Sequence, residues 1–374
     1  MRFLLAFALF CSLIVLSNCH LARGFKYRKL DPKSVKTLAT LPVNKGGSAV
    51  FHYKKPENPI QEDWAKHLDT ALLDSRTYAF LVIRNDSLLY EKYLGDWQED
   101  QLFPSYSVAK SFVSALAGIA FKEGKIKSLD EPITHYLPEL LTSDLRFEQI
   151  TIQHILDMRS GIKFNENYPN LFADVWKMGF SNDLHKVVGK LTVEKPAGGA
   201  FEYKSINSQL LGMVVERATG KKLSEYLTEK IWQPLGMESD ALWNIDDKQR
   251  QEVKGFCCLN ATARDFAKFG SLYLHNGNWQ GQQILPESWV ENCSPDTLIG
   301  NGFYKNQWWM YRRFARFDDS LSAEKERVKV NGSVFKSEKK QYVVVPAKMK
   351  AFIAKGILGQ YIYVNPETNV VIVR

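Results

Sequence analysis

The stretch Phe103-Pro-Ser-Tyr-Ser107-Val-Ala-Lys110-Ser-Phe-Val-Ser-Ala-Leu-Ala-Gly-Ile-Ala-Phe-Lys-Glu-Gly124 has apolar residues at Val108, Phe112, Leu116 and Ile119. That is the spacing of one buried helical face, and Gly124 supplies a stop signal. Ser107 and Lys110 stand three residues apart at the start, so on a helix they share a face and can touch. A hydroxyl nucleophile is thereby placed beside a possible base. The positive end of a helix disfavours an ammonium group, so the same placement lowers the lysine pKa towards a usable neutral amine.

Spacing alone does not single out this pair, because Ser-x-x-Lys occurs five times, beginning at Ser107, Ser160, Ser322, Ser333 and Ser337. Context does. Only the Ser107 copy opens a long amphipathic helix, where a hydroxyl meets unpaired backbone N–H groups. An ordinary helix N-cap accounts for that serine as well as a catalytic role does.

The 374 residues suffice for one large domain or two smaller ones, and 45% hydrophobic with 13% aromatic content describes a globular chain. A net charge of +8 is moderate for this length and describes a solvated surface, not a nucleic-acid site. Arg2 followed by the apolar run Phe3 to Leu16 reads as a secretory signal over residues 1–18. The junction Leu16-Ser-Asn-Cys19 resembles a bacterial lipoprotein signal, with Cys19 as the lipidated residue. An ordinary cleaved signal or an uncleaved anchor is the other reading. A lipid-anchored protein of the bacterial cell envelope or periplasm is the expectation, with residues 19–56 as a tether and 57–374 as the main folded domain.

Beyond Cys19 the cysteines are Cys257, Cys258 and Cys293, an odd number with two adjacent, which is no disulfide framework. No His-Glu-x-x-His and no Cys-x-x-Cys occurs, so neither a metal site nor a cofactor is expected.

Tyr78 to Arg84 and Leu88 to Tyr93 flank Asn85-Asp-Ser87 and read as a hairpin, and Gln360 to Val364 with Val370 to Arg374 form a second near the end. Between them the pattern is mostly helical: Trp64 to Leu73, Leu210 to Ala218 before Gly220, Leu223 to Ile231, and a capped helix from Thr262 towards Gly277. This predicts an α/β (α+β) fold, with one antiparallel sheet built from both termini, a helical subdomain inserted at about 128–255, and the cleft between them. Asn331-Gly332, between Lys329-Val330 and Ser333 to Phe335, reads as an exposed hairpin turn.

A Ser-Lys pair needs a proton relay and an oxyanion hole. Tyr203 and Ser205, on a loop ahead of a helix, are candidates for the first, although a tyrosine in such a place also serves as a packed aromatic. Gly356-Ile-Leu-Gly359 at a strand's mouth is a candidate for the second, with a plain bulge as the alternative.

These motifs, in this order, resemble the serine β-lactamase and penicillin-binding protein-like superfamily from about Tyr78 onward, class C-like and closest to the 6-aminohexanoate-dimer hydrolase and esterase branch. Ser107-Val-Ala-Lys110 is similar to the nucleophile motif and Tyr203-Lys-Ser205 to the Tyr-x-Asn motif. Ile155 to Gly161, Thr262 to Gly270 and Ile284 to Trp289 are similar to further family segments. The resemblance implies a β-lactamase/transpeptidase-like fold and a serine hydrolase that cleaves an amide or ester through an acyl-enzyme. It implies Ser107 as nucleophile, Lys110 as proton acceptor, Tyr203 as relay, Ser205 as support, and the N–H groups of Ser107 and Ile357 as oxyanion hole. Lys110 or Tyr203 could serve as the acylation base.

Ser205 replaces the motif's Asn, and Lys355 before Gly356 is the only cation near the third motif, which departs from Lys-Thr-Gly. Substrate-binding roles are assigned to Tyr168, Trp176, Lys355 and Gly356, with Phe172 a further wall candidate; core packing also accounts for the aromatic residues. The expected partner is a small amide, ester or short peptide and not nucleic acid. A β-lactamase, a D-alanyl carboxypeptidase or a non-turnover penicillin-binding sensor is the alternative. Relatives continue past the last strand into a C-terminal helix, so either that helix is missing or the sequence is incomplete.

Overall fold

The computed structural model describes residues 38–374 apart from 48, 59, 295–303, 312, 318, 331–332, 338–339 and 346–349. The signal segment and Cys19 lie outside the described residues.

Alternate residues of β1 (Ala79–Arg84) are buried, and β1 is joined to β2 (Ser87–Tyr93) by Asn85 and Asp86, which take the positive φ that a tight hairpin turn requires. The chain returns to the same sheet in β3 (Tyr304–Lys305), β4 (Trp308–Met310), β5 (Phe352–Gly356), β6 (Gln360–Asn365) and β7 (Val370–Val373). The seven strands are antiparallel throughout, in the order β2-β1-β7-β6-β5-β4-β3. β7 pairs with β1 through Val370 to Arg84 and Val373 to Leu81, so the first and last strands of this sheet in chain order meet in its middle. The expected sheet from both termini is present.

Four helices position the rest: α1 (Glu62–Asp74), α2 (Ala109–Lys122), α3 (Ser205–Thr219) and α4 (Ala263–Leu274). Thr262 starts α4 by accepting the Asp265 N–H at 3.2 Å, and Gly220, at φ 69°, closes α3 in the left-handed conformation. α4 lies directly on the sheet. Gly270 makes this possible, because a Cβ there would sit 2.6 Å from a Val371 methyl and 2.9 Å from one of Ile362. α2 is buried along nearly its whole length between α3 and α4. Its Phe112 is stacked on Phe269 of α4 with ring centroids 3.6 Å apart. Two side chains of α2 tie it to the turn between β3 and β4: Ser111 Oγ donates to the Gln307 carbonyl at 2.8 Å and Ser114 Oγ to that of Asn306 at 2.7 Å. Among the described residues no helix is long and apolar enough to cross a membrane.

Two expectations need correction. Part of the stretch read as a tether belongs to the fold: Thr40–Val43 pairs with Ala241–Asn244 in a four-stranded sheet completed by Leu259–Ala261 and Phe103–Pro104. Fully buried Val43 supplies the reason, since docking removes its side chain from water. The hairpin expected about Asn331-Gly332 is absent on its N-terminal side, because Lys329 and Val330 end a helix, Ser320–Val330. The strand Ser333–Ser337 pairs instead with Lys340–Val345, one step later. Asn331 and Gly332 themselves lie outside the described residues.

Candidate active site

Ser107 lies in a 3₁₀ turn, Tyr106–Val108, that leads directly into α2. Tyr106 holds a φ of 43°, a left-handed value that costs a non-glycine residue energy and sharpens the approach to the serine. The Ser107 side chain does not cap the helix. Its Oγ accepts a hydrogen bond from Lys110 Nζ at 2.9 Å, and the same Nζ donates to the Phe256 carbonyl at 2.7 Å. Lys110 is 1% exposed, and burial brings its pKa down to about 8, with the charge of Glu166 pulling the other way. Desolvation, not the helix field expected from sequence, is the leading cause.

Tyr203 closes the other side. Its hydroxyl hydrogen-bonds Ser107, and the Lys110 ammonium stands 5.3 Å from its ring centre. Burial raises the Tyr203 pKa far above its ordinary value, more than the Ser107 bond lowers it, so the phenol keeps its proton. Its ring stacks on Trp309 of β4 at 5.4 Å, and Tyr304 meets both rings edge-on.

Ser205 begins α3 and is held by Glu166: the Ser205 N–H donates to Oε2 at 2.8 Å and its Oγ to Oε1 at 2.5 Å. A carboxylate at a helix N-terminus is favoured by the unpaired N–H groups and the dipole there. Tyr168 donates to the same Oε1 at 3.0 Å and also reaches Ser205 and Ser107, while burial raises its pKa. Glu166 thus links the loop after Phe164 to the start of α3.

The turn after β5 completes the site. Gly356 packs so closely that a Cβ would sit 2.6 Å from the Ser105 carbonyl oxygen and 3.3 Å from the Tyr106 Cβ. That approach sets the turn Ile357–Gly359, with Leu358 at φ 65°, against the segment that carries Ser107.

Of the residues singled out from sequence, Ser107, Lys110, Tyr203, Ser205 and Tyr168 share one hydrogen-bonded cluster. Gly356 lies against its entry turn. Trp176 stands behind Tyr168, donating from Nε1 to the Tyr168 carbonyl at 2.8 Å, and Phe172 is exposed. Lys355 Nζ lies 5.5 Å from the Trp309 ring centre, on the ring that stacks against Tyr203. Sequence reasoning missed Glu166, Trp309 and the Phe256 carbonyl. It also missed that Cys257 and Cys258 are bonded to each other. The adjacency of the two cysteines in the sequence gave the one visible signal.

Sheet, inserted helices and a buried Ser-Lys pair define a serine hydrolase of the β-lactamase/transpeptidase class. The Beta-lactamase family model matches residues 66–374, and the chain belongs to that family. It is 28% identical over 329 residues to the 6-aminohexanoate-dimer hydrolase of Paenarthrobacter ureafaciens, covering 82% of this chain and 74% of that protein. A solved Bacillus anthracis structure, described as a candidate 6-aminohexanoate-dimer hydrolase, superposes with a TM-score of 0.70 at 25% identity, over 90% of this chain and 84% of that one. A class C β-lactamase mutant shares the fold, with a TM-score of 0.55 at 17% identity over 85% and 93% of the two chains.

Proposed function

We propose that this hydrolase cleaves short acyl esters and uncharged linear amides through an acyl-enzyme on Ser107. The observation that carries the reading is the buried Lys110, bonded to Ser107 Oγ at 2.9 Å with a pKa of about 8. Near neutral pH such a lysine has an accessible unprotonated fraction, and in that form it takes the Ser107 proton as Oγ attacks the substrate carbonyl. The N–H groups of Ser107 and Ile357 receive the developing oxyanion. Tyr203, still protonated, donates to the leaving nitrogen or oxygen and recovers its proton from Lys110. Water then attacks the acyl-enzyme by the same transfers in reverse, returning the proton to Ser107. Ser205, Tyr168 and Glu166 keep the hydroxyls aimed at the reacting bond.

Substrate choice follows from the mouth. Leu358 is 65% exposed on the turn beside Gly356, an apolar lip that suits an aliphatic acyl or amide chain. Relatives named as 6-aminohexanoate-dimer hydrolases support a linear amide as one such substrate. Lys355 beside Trp309 is the feature that favours a second reading, a β-lactamase or carboxypeptidase, because its ammonium could meet a substrate carboxylate.

The test is a screen of p-nitrophenyl butyrate, aminohexanoate oligomers, D-alanyl peptides and nitrocefin, combined with fluorophosphonate labelling of Ser107. Turnover of the ester or the oligomer is the expected outcome. Acylation by substrates without recovery of free Ser107 would mean a sensor. Fast turnover of nitrocefin alone would mean a β-lactamase.

The segment before the fold supports a further part of the proposal, a lipid anchor on Cys19 that tethers the enzyme in a bacterial envelope. Cys19→Ala should release it from membranes. Retention of a processed variant on the membrane would remove the idea.

A further inference from the structure

The segment after Phe256 does more than hold Lys110. Cys258 N–H donates to the Tyr106 carbonyl at 3.3 Å, and Ser105 N–H donates to the Leu259 carbonyl at 2.8 Å. Residues 259–261 then pair with Phe103–Pro104. One short run, 256–261, therefore anchors both partners of the Ser107–Lys110 pair, the lysine through the Phe256 carbonyl and the serine's turn through Cys258 and Leu259. In the middle of that run Cys257 and Cys258 are joined by a disulfide.

A bond between neighbouring residues closes a small ring around their shared peptide, and that ring restrains the backbone on both sides of it. Cys258 has a φ of 71°, a conformation that an unbridged L-residue rarely adopts. Opening the ring allows this residue to relax to negative φ, which would draw its N–H away from Tyr106 and turn the Phe256 carbonyl. Cys257 is buried, while Cys258 is the more exposed residue of the two. Cys293, the other cysteine among the described residues, is buried, with its Sγ donating to the Trp289 carbonyl at 3.4 Å.

We propose that Cys257–Cys258 is a thiol–disulfide exchange site whose reduction by a dithiol, small-molecule or protein, lowers the activity of the adjoining Ser107–Lys110 pair. The proposal rests on the catalytic reading of that pair. A reductant thiolate attacks Cys258 Sγ and the Cys257 sulfur leaves with the bonding electrons and takes a proton. The second reductant thiol then displaces Cys258 from the mixed disulfide, which leaves a second thiol on the enzyme and a disulfide on the reductant. Two electrons and two protons enter, and the oxidised dithiol departs.

The test uses the full chain before and after treatment with a water-soluble phosphine, which reduces a disulfide and is itself converted to the phosphine oxide. Peptide mapping after iodoacetamide should find Cys257 and Cys258 alkylated only in the treated protein. Turnover of p-nitrophenyl butyrate should fall at least tenfold in kcat with KM changed less than threefold, and treatment of a separate unalkylated sample with excess oxidised glutathione, after the phosphine has been removed, should restore it. Hydrogen exchange across 105–111 should quicken on reduction. A Cys257→Ala/Cys258→Ala double variant should be indifferent to phosphine; should it not fold, the reversible change in the unaltered protein decides. The proposal is overturned if both cysteines are alkylated in denatured, unreduced protein, or if reduction leaves kcat and exchange unchanged. A protein with no activity and no fluorophosphonate label on Ser107, but with faster exchange on reduction, would refute the hydrolase reading and leave the coupling of bridge to turn intact.

Discussion

The carboxylate of Glu166 holds Ser205 at two points, its N–H at 2.8 Å and its hydroxyl at 2.5 Å, and takes the Tyr168 hydroxyl at 3.0 Å as well. This one side chain joins a loop, a helix start and the hydroxyls around Ser107. Its charge also favours the protonated form of Lys110. The acid–base balance of the site therefore depends on a residue that bears no nucleophile or relay.

A pH profile should display that dependence. If Lys110 must be neutral to take the Ser107 proton, kcat/KM rises with pH along a limb with an apparent pKa of about 8. Removing the negative charge in Glu166→Gln takes away a stabiliser of the ammonium form, so the limb should move to lower pH. A limb that stays in place or moves upward would contradict this coupling.

Ser107→Ala and Lys110→Ala should each lower kcat by ~10³-fold or more, and the double variant should be little worse than either single one, as for groups that act as a unit. Steady-state kinetics on one chromogenic ester suffices. Losses that multiply would show the two residues working independently.

Tyr203→Phe keeps the ring that stacks on Trp309 and removes only the hydroxyl that reaches Ser107. Its cost should be ~10² to 10³ in kcat, below that of the serine and lysine changes, because water can partly replace a relay. A variant with wild-type kcat would exclude Tyr203 from proton transfer.

Nitrocefin should be turned over more slowly than p-nitrophenyl butyrate. Losing the charge-assisted contact of a Lys-Thr-Gly lysine is worth roughly 1.5–3 kcal/mol. If nitrocefin is the faster substrate and Lys355→Ala abolishes that advantage, the ammonium beside Trp309 is reading a carboxylate after all.

Phe112 is completely buried and stacked on Phe269, so Phe112→Ala should cost about 3–5 kcal/mol of stability by leaving a cavity between α2 and α4. Denaturant titration measures it. A loss below about 1 kcal/mol would mean that the neighbouring rings collapse into the space.

The main sheet was legible in the sequence because Tyr78 to Tyr93 and Gln360 to Val373 alternate or run in β-branched and aromatic residues around turn-forming Asn, Asp and Pro. The Ser107–Lys110 contact was legible because helical periodicity converts a three-residue spacing into a shared face. Glu166 was not, since its partner Ser205 lies 39 positions away and one carboxylate in a polar loop looks like any other. Trp309 was hidden for the same reason: its stacking on Tyr203 comes from tertiary packing and leaves no local pattern. Thr40–Val43 was misread because Pro42 and shortness suggest a linker, whereas pairing with Ala241–Asn244 overrides that local composition.

Ser107 and Ile357 are 250 positions apart, and the strand that precedes Ile357 is separated from β1 only by β6 and β7. On a ribosome the serine and its helix emerge long before either the turn Ile357–Gly359 or the central strand β7 exists. Until that turn is made, a nascent chain therefore carries Ser107 without the Ile357–Gly359 segment that Gly356 sets against it. Proteolytic cleavage ahead of Gln360 would remove β6 and β7 and strip β1 of its inner neighbour, so that hydrolytic competence and the integrity of the sheet should fail together.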